Sequence, residues 1–295
     1  MHPYMPLSPC GPHCLDGDEP TVGRARVVLR LAAAVGVVLG AFLVLPFLAL
    51  IGRRGRELAA KLIFRGLLGA FGVRLTVTGD LPRSDGRGVL VVTNHISWLD
   101  VAALNAVRPM RAMAKTDLRS WPVLGTLIAR AGTVFLDRES LRALPGAVDE
   151  LARVLRDGSM IYVCPEGTTW CGKGMGRFRP ALFQSALDAG VPVRPVAVRY
   201  HLASGRETPA PAFIGTETIL ESMTRVARLR GLHVELRVCA EIAPGRADDR
   251  RSLAALTEAA MNTALGLRVT IPAPRTVWTS SAVESARLAG DHHPG

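Results

Sequence analysis

Seven positions between residues 94 and 100, Asn-His-Ile-Ser-Trp-Leu-Asp, gather an amide, an imidazole, a hydroxyl, an indole and a carboxylate directly after the apolar run Val89-Leu90-Val91-Val92. An imidazole oriented by a carboxylate is the general base that chemistry on a neutral hydroxyl requires at pH 7. His95 and Asp100 are five positions apart, about 140° around an ideal helix, so they do not meet if the whole stretch is helical. They meet if His95 precedes the helix and the chain turns through Ser97. The competing reading is purely structural: Ser97 with Asp100 three residues later also spells a capping box, and a histidine beside it can be an ordinary core residue.

A second apolar run, ending at Val163, breaks into Cys164-Pro165-Glu166-Gly167-Thr168-Thr169. Beyond it, Lys173, Arg177 and Arg179 alternate with Gly172, Gly174 and Gly176. A flexible loop of backbone amides and cations suits an anionic group, or is merely a solvated basic loop. Lys115 ends another apolar segment and offers a further positive charge.

These groups are delivered by short apolar runs alternating with helical stretches, which argues for an α/β domain after Gly72. Strands are expected at 73–78, 88–93, 110–115, 132–136, 159–164, 192–199 and 233–239. Helices are expected at 98–107, 120–130, 139–157, 180–189 and 250–266. Strand ends that turn into polar segments are the usual seats of functional groups.

Upstream, LAAAVGVVLGAFLVLPFLALIG (residues 31–52) contains no charge. A helix of that length rises about 33 Å, against about 30 Å of bilayer hydrocarbon. It leads into Arg53-Arg54-Gly55-Arg56 and not into a small-residue cleavage site, so it reads as a retained transmembrane anchor and not as a signal peptide. Three basic residues precede it (Arg24, Arg26, Arg30) and four follow (Arg53, Arg54, Arg56, Lys61), a small bias towards a cytoplasmic C-terminal side. Residues 58–71 read as a helix lying in the membrane interface, or as a core helix. The expected organisation is a leader without structure at 1–23, a membrane anchor at 24–72 (transmembrane 31–52, interfacial 58–71), a catalytic domain at 73–268 and a tail without structure at 269–295.

The chain carries 36 Lys+Arg against 25 Asp+Glu, a formal net charge of +11, which suits an anionic lipid surface or phosphorylated substrates. Nucleic acid is disfavoured, because aromatics are only 5% of residues and no basic stripe is interleaved with them. Five cysteines at 10, 14, 164, 171 and 239 form no disulfide framework and read as reduced. Cys10-Gly-Pro-His13-Cys14 is faintly similar to a metal knuckle but lacks a second ligand pair, so no metal is expected.

Four short motifs in order then carry a resemblance. Asn94-His95 with Asp100 fit N-H-x-x-x-x-D; Gly132, Phe135 and Arg138 fit G-x-x-F-x-x-R; Pro165-Glu166-Gly167-Thr168 spell P-E-G-T; Val191-Pro192-Val193-Arg194-Pro195-Val196 is an apolar-proline segment. Over about residues 70–240 the chain resembles the glycerolipid acyltransferase family typified by 1-acylglycerol-3-phosphate acyltransferases. The resemblance implies an α/β fold with a mixed central sheet flanked by helices, and acyl transfer without a covalent acyl-enzyme or cofactor. The donor would be acyl-CoA or acyl carrier protein, and the acceptor a lysolipid at the bilayer. It implies His95 as general base, Asp100 as its orienter, and Asn94, Arg138, Glu166, Gly167 and Thr168 around the substrate, with Lys115, Lys173 and Arg177 as further cations. Phosphatidic-acid-forming members usually carry Arg after Glu-Gly-Thr, where this chain has Thr169, and an aromatic or aliphatic residue where it has Cys164. The acceptor is therefore 1-acylglycerol 3-phosphate or another lysolipid, such as a lyso-ornithine lipid or a lysophospholipid. Two rivals stand beside this reading: a serine hydrolase built on Ser97, disfavoured because no G-x-S-x-G elbow is present, and a non-catalytic lipid-binding protein.

Overall fold

The structure is a computed structural model that describes residues 8–81, 86–122, 124–137 and 140–267. Seven strands form one sheet: β1 (Arg74–Thr78), β2 (Val89–Thr93), β3 (Arg111–Lys115), β4 (Val134–Leu136), β5 (Met160–Val163), β6 (Val193–Leu202) and β7 (Leu232–Val238), in the order β1-β7-β6-β2-β5-β3-β4. Strands β2 to β6 run parallel, and β7 joins β6 antiparallel with β1 parallel to β7, so the sheet is mixed.

The letters explain the central strands. Every residue of β2 is buried, because parallel strands covered on both faces need apolar side chains at each position. Val89 and Val91 face one layer, with Met160, Tyr162, Val196 and Val198. Leu90 and Val92 face the other, with Ile161, Val163, Val193 and Ala197. Each fully buried aliphatic side chain contributes about 1.5–3 kcal/mol.

One face of the sheet is covered by α2 (Arg53–Phe71), α3 (Leu99–Val107) and α7 (Ile219–Arg228), and the other by α5 (Leu144–Arg156), α6 (Gln184–Ala189) and α8 (Arg250–Leu265). The short α4 (Leu124–Arg130) lies between β3 and β4 in the chain. Helix α7 is absent from the sequence expectation. Its signal was Thr218 with Glu221, whose side chain and backbone groups close a complete capping box.

The N-terminal segment departs most from expectation. Helix α1 (Arg24–Val44) starts seven residues before the apolar run, and Pro46 stops it short of Gly52 by converting residues 45–49 to a 3-10 turn. Helix α2 then returns alongside α1. A Cβ at Gly66 would lie 3.6 Å from Val37, and one at Gly72 would collide with the Arg30 guanidinium. The pair is an antiparallel hairpin, and α1 by itself is long and apolar enough to cross a membrane. Gly72, at φ 69°, ends α2 in the left-handed conformation that only glycine adopts without strain.

Both open ends of the hairpin dock on the domain. Arg30 donates to the carbonyls of Ala227 (2.9 Å) and Leu229 (2.7 Å) at the C-terminal end of α7, where a helix dipole favours a cation. Arg65 donates to Ala106 of α3 (3.1 Å), and Phe71 packs edge-on against Trp98 at 5.0 Å.

The leader is also ordered from residue 8. Val22 and Arg230 hydrogen-bond across to Arg228 and Pro20, Asp18 pairs with Arg206 at 2.9 Å, and Cys10 is buried. The expectation of an unstructured leader fails because its polar and small residues find partners on the domain, which composition alone does not disclose. Residues 1–7 and the tail expected from 269 lie outside the described residues.

Candidate active site

The topology brings the scattered motifs to one edge. Strands β2, β3, β4 and β5 are mutually parallel, so their C-terminal ends, carrying Asn94-His95, Lys115, the segment after Leu136, and Cys164 to Thr169, lie on one side of the sheet. That edge is where open α/β sheets bind ligands.

His95 leaves β2 before α3 begins, as the meeting of histidine and aspartate demands. Its Nδ1 lies 2.9 Å from Asp100 Oδ2. The same oxygen accepts the backbone N–H groups of Ile96 (2.8 Å) and Ser97 (2.9 Å), while Tyr200 donates its hydroxyl to Oδ1 at 2.6 Å. Asp100 is 1% exposed and its imidazole partner 21%. The carboxylate therefore has both oxygens occupied by donors, which assigns the imidazole proton to Nδ1 and leaves Nε2 to take a proton from a substrate.

The capping box takes a different form from the expected one. Trp98, not Ser97, precedes the helix and no side chain caps it. The Ser97 hydroxyl accepts the Leu99 N–H at 3.3 Å and also hydrogen-bonds the Tyr200 hydroxyl, and Ser97 is fully buried. A buried serine held by its own backbone and by Tyr200 is no nucleophile, which removes the hydrolase reading. Asp100 gathers the turn into its carboxylate, so one residue closes the chain around His95 and orients its ring.

Burial opposes a charged imidazole, but Cys164 and the hydrogen bond and charge of Asp100 outweigh it and raise His95 to about 10. Glu166 is buried and pushed up to about 8, chiefly by burial and against the N–H groups of Gly176 and His95. Burial and the Asp100 charge hold Tyr200 well above the usual phenol range.

Several residues expected at the substrate instead hold the frame. Glu166 accepts the backbone N–H of His95 (2.5 Å) and of Gly176 (2.7 Å). It staples the turn after β2 to the loop after β5, each oxygen accepting one backbone N–H. Asn94 spends its amide on Val198, donating at 3.0 Å and accepting at 2.8 Å, and so prolongs the β2–β6 pairing by one residue through a side chain. Gly167, at φ 75°, makes the tight turn back to the Cys164 carbonyl.

Among the expected cations, Lys173 pairs with Asp16 of the leader at 2.7 Å and Lys115 with Asp117 at 2.5 Å. Arg177 is exposed, and Thr168 is half-buried beside the turn. Arg138 lies outside the described residues. Thr169 donates its hydroxyl to the Phe213 carbonyl, so the position where arginine is usual is committed to a loop contact.

Tyr200 is the functional residue that sequence reading missed. The expected strand stopped at 199, and a tyrosine one residue past an apolar run reads as a strand end. In the structure β6 runs to Leu202 and places the ring beside α3.

A histidine held by a buried carboxylate at the edge of a mixed sheet has known counterparts. Residues 74–199 match the family described as Acyltransferase. The 1-acyl-sn-glycerol-3-phosphate acyltransferase of Neisseria gonorrhoeae is 35% identical over 202 residues, covering 68% of this chain and 78% of that protein. The chain belongs to the glycerolipid acyltransferase family. The lyso-ornithine lipid O-acyltransferase of Pseudomonas aeruginosa is 32% identical over 255 residues, covering 83% of this chain and 95% of that one. The crystal structure of the 1-acyl-sn-glycerophosphate acyltransferase from Thermotoga maritima shares the fold, with a TM-score of 0.60 at 21% identity over 82% of this chain and 96% of the other. The protein is thus an O-acyltransferase.

Proposed function

We propose that the protein transfers a fatty acyl group from acyl-CoA or acyl carrier protein to the free hydroxyl of 1-acylglycerol 3-phosphate. The observation that carries this is the His95 ring, tied at Nδ1 to Asp100 and partly exposed. His95 Nε2 removes the hydroxyl proton as the oxygen attacks the thioester carbonyl, the thiolate leaves, and the imidazolium returns that proton to the sulfur. No acyl-enzyme is needed, because a thioester is already activated and the remaining task is orientation. Arg138 and Arg177 are proposed to hold the phosphate, with Thr168 and the Gly167 turn beside the acyl-accepting glycerol.

A second reading, a lyso-ornithine lipid acceptor, is favoured by the commitment of Thr169 to Phe213 and of Lys173 to Asp16. Two relatives of the two named specificities resemble the chain about equally. Purified protein assayed with acyl-CoA and each lysolipid decides. Faster acylation of 1-acylglycerol 3-phosphate supports the first reading, faster acylation of lyso-ornithine lipid supports the second, and turnover of neither overturns both.

The N-terminal hairpin is proposed to hold this site at the cytoplasmic leaflet by entering it from one side, in place of a single-pass crossing. Among the described residues, twelve of the fifteen exposed large hydrophobic side chains lie on it, including Val35, Leu39, Phe42, Phe47 and Leu50. A crossing at 31–52 would carry Arg30 and the leader, which dock on the end of α7, to the far side of the bilayer from the domain. The tip cations Arg53, Arg54 and Arg56 would cost about 2.5–3.5 kcal/mol each at the bilayer centre, so they belong at the headgroups with the apolar stripe of α1 beneath them. Arg24→Cys, labelled with a membrane-impermeant maleimide in sealed vesicles that carry the domain outside, is expected to react without detergent. Labelling only after the vesicles are opened would restore the crossing.

A further inference from the structure

The cysteines at 10 and 14 and the histidine between them lack a partner in the sequence. The fold supplies one. The sulfurs of Cys10, Cys14 and Cys171 all lie within 4.8 Å of one another, although Cys171 is more than 150 residues away in the chain. We propose that these three thiols bind a zinc ion, with His13, exposed in the same 3-10 turn as Cys14, supplying an imidazole for the fourth position once its side chain turns inward.

Four features support a built site. First, sulfurs about 2.3 Å from a tetrahedral zinc stand roughly 3.8 Å apart, so the present spacing needs only small side-chain rotations to close. Second, backbone N–H groups already point at two of the sulfurs. Cys171 N–H donates to Cys10 Sγ at 3.2 Å, and Lys173 N–H donates to the Cys171 sulfur. Amide donors to sulfur are the outer contacts that orient thiolate ligands.

Third, the turn that makes the second of these contacts requires glycine. Gly172 sits at φ 88°, and a Cβ there would come within 3.2 Å of Ile96. Fourth, a cation stands beside the thiols: three thiolates and Zn²⁺ sum to −1, and Lys173, two residues after Cys171, is tied by its ammonium to Asp16, two residues after Cys14. A disulfide would use two of the three sulfurs and leave the third without a role. Zinc uses all three, each giving its proton to solvent as it binds.

The position of the cluster gives the ion a task. Cys171 follows Trp170, whose backbone N–H donates to the His95 carbonyl at 2.8 Å. Zinc would clip the N-terminal leader onto the loop that backs the catalytic histidine, across a very long chain separation. This makes Cys10, Cys14 and Cys171 positioning residues for His95, not catalytic ones.

The test is the zinc content of the full-length protein, purified in detergent under anaerobic, reducing conditions and measured by inductively coupled plasma mass spectrometry. One zinc per chain is expected, together with intense thiolate-to-metal absorption after cobalt exchange and a lower melting temperature after chelation. Cys14→Ser, at a half-exposed position, is expected to lose the metal, and Cys239→Ser to keep it. Metal content in the parent no higher than in a Cys10→Ser/Cys14→Ser/Cys171→Ser triple variant overturns the proposal. So does a disulfide among these three residues in acid-trapped protein. Since the parent measurement involves no substitution, a variant that fails to fold does not shelter the idea.

Discussion

His95→Ala is expected to lower acyl-transfer turnover by about 10² to 10⁴, the contribution of a positioned general base, with the circular dichroism of the fold unchanged. The parent enzyme adds a sharper expectation in its pH dependence. His95 is raised from 6.5 to about 10, and only the neutral imidazole accepts a proton. Turnover should therefore climb with pH across the neutral range and level off near the raised value. Stability should move the other way. A histidine with a raised pKa contributes stability that is complete below about 6.5 and is lost as pH rises towards 10. Glu166, raised from 4.5 to about 8, keeps its proton longer in the folded state, so its contribution also fades as pH rises between those values. Turnover that climbs while the melting temperature falls over the same pH range is the signature. Turnover that is flat or declining between neutrality and pH 9, or full activity in His95→Ala, would remove His95 from the reaction.

Asp100→Asn is expected to lower turnover by up to about 10⁴, the effect of an isosteric amide on the orienting carboxylate of a histidine-based triad. The fold should survive. The amide oxygen can stay towards His95, Ile96 and Ser97, and the amide N–H₂ can face Tyr200, whose hydroxyl turns to accept. The charge is what disappears, so the imidazole should lose its proton at lower pH and the rising limb of the turnover profile should move down with it. Kinetics across pH together with thermal melts separate the two roles of Asp100. A variant that melts far below the parent and regains normal turnover when cooled would return Asp100 to being a structural cap. Ser97→Ala is the companion: its side-chain contacts are the long one to Leu99 and one to the Tyr200 hydroxyl, neither on the His95 ring, so near-parental turnover is expected.

The local alphabet of this chain was unusually readable. Each of the seven strands lies within a few residues of its apolar run, since the parallel centre of the sheet is buried on both faces and has to be spelled continuously in Val, Leu and Ile. The turn between His95 and Asp100 was legible for a related reason: five-residue spacing cannot work on one helix, so a strand-to-helix junction was required. The acyltransferase motifs likewise stood in order along the letters. Helix α7 was missed although its capping box was written out, because no long apolar stretch drew attention to it.

Tertiary structure decided everything that depends on which distant groups share a place. Glu166 looked like a head-group ligand and became a staple between two loops, because its partners are backbone N–H groups that no side-chain pattern records. Asn94 became a prolongation of a strand pairing for the same reason. Tyr200 entered the site through sheet order, which puts β6 beside β2 despite about a hundred residues of intervening chain. Hydropathy marked an apolar segment but carried no information about direction, so only the packing of Gly66 against Val37 and the docking of Arg30 on the domain revealed a hairpin. The same holds for Cys10, Cys14 and Cys171. Sequence spacing shows ligands that lie near one another along the chain, whereas a site closed between a leader and a loop exists only once the backbone has folded.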